Sequence, residues 1–152
     1  MEFTIKRLNY EDKNLIYECD SLLKKLVIED SKYDNNYNVD IKLNSMEEDT
    51  KSENNYILAA LQNNKVVGFI YSSISNKKYE KSLTAKILFL YVLEEYRNKK
   101  IGSSLINELV KHLNEKNIKY LDVQVYSNNK NAINLYNKLF FNNYTFNLRK
   151  EI

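Results

Sequence analysis

The chain has 152 residues, 23 basic and 20 acidic side chains for a net charge of +3, and only one cysteine, one histidine and two glycines. That length fits one domain over residues 1–152, and the lone Cys19 excludes an internal disulfide framework, fits a reducing cytoplasm and, with His112 as the single histidine, leaves no ligand set for structural zinc. No apolar run approaches the ~20 residues of a membrane span, and Met1-Glu2-Phe3-Thr4 lacks the regions of a signal peptide.

The charge is unevenly spread. Residues 1–60 hold 8 basic and 13 acidic side chains, net −5, and residues 61–152 hold 15 and 7, net +8. Two ligands of opposite sign fit this division, and so do two ordinary solvated surfaces. The overall +3 is too small to argue for nucleic acid by itself.

Phe3-Thr4-Ile5-Lys6-Arg7 alternates and predicts a first strand. Asn9 or Asp12 is placed to cap a helix running to about Ile28, with Leu15, Leu22, Leu23 and Leu26 on its apolar side. Residues 29–38 read as a polar loop, Val39 to about Glu48 as a weaker second helix, and Asp49 to Asn55 as another loop. Tyr56–Leu61 and Lys65–Ser73 read as strands joined at Gln62-Asn63-Asn64, with Gly68 marking a bulge. Thr84–Leu93 is nearly all apolar, as expected of a central strand covered on both faces. A helix from Ile101 to Lys116, a strand at Tyr120–Val125, a helix from Lys130 to about Phe140 and a closing strand at Tyr144–Arg149 complete an α/β pattern.

One of the two glycines sits in Arg97-Asn98-Lys99-Lys100-Ile101-Gly102-Ser103, between the apolar strand and the helix after it. A glycine there suggests close approach of the backbone to a ligand. The first amides of a helix have no internal partners and favour an anion such as phosphate. The spacing is neither that of a nucleotide-triphosphatase phosphate loop nor that of a dinucleotide-binding Gly-x-Gly-x-x-Gly. Roughly 30 residues later, Asn129, Ala132, Leu135, Tyr136, Lys138 and Phe141 follow a strand end into a short helix, where Ala132, Leu135, Tyr136 and Leu139 share one face.

In these two segments the sequence resembles the GNAT N-acetyltransferase superfamily. Its strand, Gln/Arg-x-x-Gly-x-Gly/Ala, helix motif is matched by Arg97 to Gly102, and its later Asn-x-x-Ala-x-x-Leu-Tyr-x-Lys-x-Gly-Phe by Asn129 to Phe141. Lys100 and Phe140 stand where the family has glycine. If the Lys100 position needs a positive φ, lysine costs about 1–2 kcal/mol there. The resemblance covers Thr84 to Phe141 closely and the first 60 residues only in layout.

The resemblance implies a mixed central sheet of about six to seven strands, splayed at the middle and flanked by about four helices. It implies acetyl-CoA as co-substrate and an amine acceptor, with direct attack and no acyl-enzyme. The main chain of Leu90 and Val92 would pair with the pantetheine arm. The amides of Asn98, Lys99, Lys100, Ile101, Gly102 and Ser103 would hold the pyrophosphate, with Arg97 flanking it and Asn129 hydrogen-bonding the cofactor. Tyr136 would protonate the departing thiolate. The base glutamate of some relatives is Lys86 here, so Glu29, Asp30, Asp34, Glu94, Glu95 and water all stay open for that role. Glu29 and Asp30 are the acceptor-side residues proposed. A small amine is the acceptor expected, with a protein N-terminus or lysine as the alternative; homodimers occur among relatives. Two competing readings are a non-catalytic CoA-binding regulatory module and a nucleic-acid module using Lys99, Lys100, Lys111, Lys116 and Lys119. The acidic half opposes the second, so neither nucleic acid nor membrane is expected as a partner.

Overall fold

The run Tyr56–Ala60 is buried throughout, which a strand achieves only when both faces of its sheet are covered. The computed structural model, which describes residues 2–152, covers them with helices. Tyr56, Leu58 and Ala60 pack with Ile101, Leu105, Leu109 and Tyr136 on one face. Ile57 and Ala59 pack with Ile16, Cys19, Leu22 and Leu23 on the other. This is the period-two alternation of a strand.

The sheet has the order β1-β2-β3-β4-β5: β1 is Thr4–Arg7, β2 Asn55–Gln62, β3 Lys65–Ser75, β4 Thr84–Val92 and β5 Tyr120–Val123. The first four are antiparallel to their neighbours, and β5 runs parallel to β4. Helix α1 (Lys13–Asp30) covers one face, and α2 (Ile101–Glu115) and α3 (Lys130–Lys138) the other. Asn63 and Asn64 turn β2 into β3 with φ of 51° and 62°, the left-handed pair that matches hairpin twist. Gly68 sits beside a register shift in that hairpin, and it lies opposite Val92 of β4. A Cβ on Gly68 would come within 2.9 Å of the Tyr91 carbonyl oxygen, so glycine here permits close strand approach.

The described residues form five strands and three α-helices, fewer than the six to seven and four expected. The predicted helix over Val39–Glu48 is irregular apart from a 3-10 turn at Glu48–Lys51. Val39, Ile41 and Leu43 are spaced by two, which a helix cannot place on one face. Asp20 of α1 pins the segment instead, accepting from Met46 N (2.9 Å) and Ser45 Oγ (2.6 Å). The closing strand at Tyr144–Arg149 is also missing. Its residues alternate, but a strand is stabilised by a paired neighbour, and Tyr144, Phe146 and Leu148 stand exposed.

Candidate active site

β4 and β5 pair only from Thr84 with Tyr120 to Ile87 with Val123. There β4 carries a bulge: Tyr71 faces Phe89 and Ser72 faces Ile87, leaving Leu88 as the extra residue. A bulge bends its strand and increases local twist, and beyond it Leu88–Val92 has no paired strand on the β5 side among the described residues. Leu93 N donates back to Val67 O at 2.9 Å. Because main-chain groups alternate sides along a strand, those of Leu90 and Val92 turn to the open edge. On that edge Arg97 Nε donates to the Val92 carbonyl at 2.8 Å. The sheet is therefore split, with a free backbone edge on β4.

The loop after β4 enters α2 through two left-handed residues, Asn98 (φ 60°) and Lys100 (φ 68°). The first helical bond is Ser104 N to Lys100 O, 3.0 Å, so the amides of Ile101, Gly102 and Ser103 have no main-chain partner among the described residues. A Cβ on Gly102 would meet only Leu135 Cδ2, at an ordinary 3.6 Å, and its φ is not positive. No contact among the described residues requires glycine there, and its missing Cβ leaves room beside the free amides. Lys99 and Lys100 are exposed beside them. This cradle fits a pyrophosphate, and the split sheet fits the extended arm attached to it.

α3 brings Tyr136 to the same region. Asn129 Oδ1 caps the helix by accepting from Ala132 N at 3.2 Å. At the other end Phe140 takes the left-handed position (φ 67°). Phe141 N donates to Tyr136 O (3.0 Å) and Phe140 N to Asn137 O (3.1 Å), a Schellman closure in which glycine is the usual residue. The Phe141 ring then lies edge-on to Tyr136 with centroids 5.3 Å apart, fixing the tyrosine ring. Tyr136 is 8% exposed. Burial, with a smaller contribution from the Asp30 charge, pushes its hydroxyl up to about 12, so it is protonated at neutral pH.

The end of α1 spans the mouth of the split. Glu29 is fixed on the β4 side: Oε1 accepts from Tyr91 Oη (3.0 Å) and Oε2 from Arg97 Nη2 (2.8 Å). A few residues on, the chain is fixed on the β5 side. Asp34 Oδ2 accepts from Tyr126 Oη and the Tyr33 carbonyl from Asn128 Nδ2, each at 3.3 Å, and the Tyr33 and Tyr126 rings stack at 6.2 Å. Burial and the carboxylate it bonds push the Tyr91 hydroxyl up to about 12.

Of the residues singled out from sequence, Leu90, Val92, Asn98–Ser103, Asn129 and Tyr136 converge on the split or on the start of α2. Arg97 lies there too, but its guanidinium is engaged by Glu29 and Val92. Lys86 bonds Gln124 Oε1 (3.0 Å) below the opening. Sequence reasoning did not single out Tyr33, Tyr91, Tyr126 and Asn128. Tyr91 meets Glu29 of α1, and Tyr126 and Asn128 meet Asp34 and Tyr33 just past its end, all across long separations, and no local pattern marks them. Cys19 is fully buried in the α1 cluster, and burial pushes its thiol well above the ordinary range.

A split sheet with an amide cradle below it and a buried tyrosine beside it suits an acyl-CoA-dependent acyltransferase. The chain belongs to the acetyltransferase (GNAT) family, whose model matches residues 20–141. It is accordingly an N-acetyltransferase that uses acetyl-CoA. No curated protein matches it in sequence. Among solved structures it resembles an aminoglycoside acetyltransferase from an uncultured soil metagenomic sample, in complex with trehalose (20% identity, 99% of this chain and 96% of that one, TM-score 0.79). It also resembles AAC(6')-Iy in complex with a CoA-based bisubstrate analogue (17% identity, all of both chains, TM-score 0.74). A third is the ribosomal-protein-alanine N-acetyltransferase of Brucella melitensis biovar Abortus 2308 (16% identity, 99% and 100%, TM-score 0.72). Among the described residues no helix is long and apolar enough to cross a membrane.

Proposed function

We propose that this acetyltransferase acts on a primary amine of a small cationic molecule, by direct attack of that amine. The observation that carries the acceptor class is the mouth of the split, where Asp30, without an ion pair or hydrogen bond among the described residues, lies between the engaged carboxylates of Glu29 and Asp34, with Tyr33 and Tyr126 nearby. Carboxylates and ring faces together favour an ammonium. One of the similar structures is named as an aminoglycoside acetyltransferase and another holds a bisubstrate analogue of CoA and acetylneamine, which supports the reading. The third is named for a ribosomal-protein alanine, which makes a protein amine the alternative.

On the donor side, the amides of Asn98, Lys99, Lys100, Ile101, Gly102 and Ser103 hold the pyrophosphate, and Arg97 flanks it. The open main chain of Leu90 and the amide of Val92, whose carbonyl Arg97 holds, pair with the pantetheine. Asn129 keeps its Nδ2 for the cofactor while Oδ1 caps α3. Acetyl-CoA supplies an acetyl group activated as a thioester. Tyr136 Oη gives a proton to the departing sulfur. A direct attack suits a chain whose single thiol is buried in the opposite cluster.

The test is Tyr136→Phe. Turnover is expected to fall about 100-fold or more with acetyl-CoA affinity unchanged; unaltered turnover, with chemistry rate-limiting, removes the proton-donor role. The free buried thiol suits a reducing compartment, the cytoplasm. The exposed Tyr144, Phe146 and Leu148 suit a homodimer, which a monomer mass by light scattering at all concentrations would exclude.

A further inference from the structure

We propose that Asp30 is the residue that takes the proton from the acceptor ammonium. The inference rests on the reading of the cleft as a site of amine acetylation, and it assigns a role that the sequence leaves open among five carboxylates.

The position follows from the two anchors of the α1 terminus. Glu29 is held to Tyr91 and Arg97 at the end of β4, and Tyr33 and Asp34 are held to Asn128 and Tyr126 beyond β5. Asp30, Ser31 and Lys32 are therefore the residues that bridge the opening. Asp30 ends α1 and is half-buried. Its charge reaches the hydroxyls of Tyr136 from α3, Tyr126 from the loop after β5, and Tyr37 from the loop after α1.

The other carboxylates are spoken for or face solvent. Both oxygens of Glu29 are occupied. Asp34 accepts from Tyr126 and lies 3.7 Å from Arg149. Glu94 and Glu95 are exposed on the turn after β4. Asp30 alone of the five is partly buried with neither an ion pair nor a hydrogen bond among the described residues. The charged groups around it are Glu29, which disfavours its ionised form, and Lys32, which partly offsets that; burial is the larger influence, and its pKa is raised. A base with a raised pKa is the better proton acceptor.

The protons balance as follows. The acceptor enters as an ammonium and gives its first proton to Asp30, freeing the electron pair that forms the C–N bond. The carbon–sulfur bond breaks, and Tyr136 Oη supplies one proton to the sulfur. The nitrogen loses its second proton to solvent. Asp30 then releases its proton to solvent, and Tyr136 recovers one. The products are the amide, the CoA thiol and one net proton.

The test compares wild type with Asp30→Asn, measuring CoA release with spermidine, neamine, lysine and a short peptide from pH 6 to 9. If Asp30 takes the proton, wild-type kcat/KM is level across neutral pH, since the ammonium is the form used. Asp30→Asn must wait for free amine. It is expected to lose about 100-fold near pH 7 and to regain about tenfold per pH unit, while binding acetyl-CoA like wild type. Asp34→Asn, by contrast, raises KM and keeps the level profile. An active wild type with an equally active Asp30→Asn, or the same profile in both, overturns this inference alone. Loss of activity in Asp30→Asn with a profile that stays level also overturns it, because the role is then structural. A wild type that binds acetyl-CoA and is silent with every amine overturns the proposed function and this inference together.

Discussion

Arg97 reaches back from the loop after β4 to Glu29 on α1, 2.8 Å away, and the two side chains are 38% and 34% exposed. Its Nε meanwhile holds the Val92 carbonyl at 2.8 Å. One guanidinium thus joins the helix that closes the mouth of the split to the strand edge that forms its wall. A pair this exposed contributes about 0–1 kcal/mol to stability, so its value is in placement. Glu29→Gln is expected to leave the urea midpoint nearly unchanged while loosening the α1 terminus, read as faster amide exchange at Asp30 to Asp34. Protection equal to wild type would deny the pair this role.

Gly102 separates folding from binding. Its missing Cβ has only an ordinary contact with Leu135, so Gly102→Ala should fold with a melting temperature at or above that of wild type, helix propensity favouring alanine. Gly102→Val places branched methyls beside the free amides of Ile101 and Ser103. Acetyl-CoA affinity, measured by calorimetry, is expected to fall at least about tenfold, near 1.4 kcal/mol. Unchanged affinity in the valine variant would remove the cradle from the cofactor site.

Phe140 pays for its left-handed φ of 67° without using its side chain, which is 89% exposed. Relief of that strain is worth about 1–2 kcal/mol, reduced by the greater freedom of glycine in the unfolded chain. Phe140→Gly is therefore expected to raise stability by about 1 kcal/mol, or about 2–4 °C in melting temperature for a chain of this size. Lys100→Gly relieves the same strain at φ 68° and removes a charge near the cradle. A fall in melting temperature for Phe140→Gly would contradict the strain argument.

Local patterns made much of this legible, and non-local pairing hid the rest. The hairpin at Asn63-Asn64, the apolar β4 and the amphipathic α2 follow from residues adjacent in sequence. The two positions where Lys100 and Phe140 replace glycine were marked only by the family resemblance, and both hold the left-handed backbone with the residue changed. The bulge at Leu88 was not legible, since it is a mismatch between two strands. Neither was the anchoring of α1, where Glu29 meets Arg97 and Asp34 meets Tyr126 across gaps of 68 and 92 residues. The segment at Tyr144–Arg149 misled for the opposite reason: its alternation is that of a strand, but it has no paired neighbour among the described residues.

Asp30 offers a pH signature in stability as well as in rate. Its folded pKa is raised above the ordinary 3.8, so the native state binds more protons than the unfolded chain between the two values. Stability contributed by this group accordingly falls as pH rises through that window, and ionised Asp30 is a burden at neutral pH. Asp30→Asn should raise the urea midpoint at pH 7, with the gain vanishing below about pH 3.8. A gain of equal size at both ends would mean that the side chain's charge is not the cause.

The most direct measurement is CoA release from acetyl-CoA in the presence of spermidine, neamine, lysine and a short peptide, with Tyr136→Phe alongside. The account predicts release that depends on a cationic small amine and that falls about 100-fold in Tyr136→Phe. Tight binding of acetyl-CoA with no release for any amine would contradict it and identify a protein that holds the cofactor without spending it.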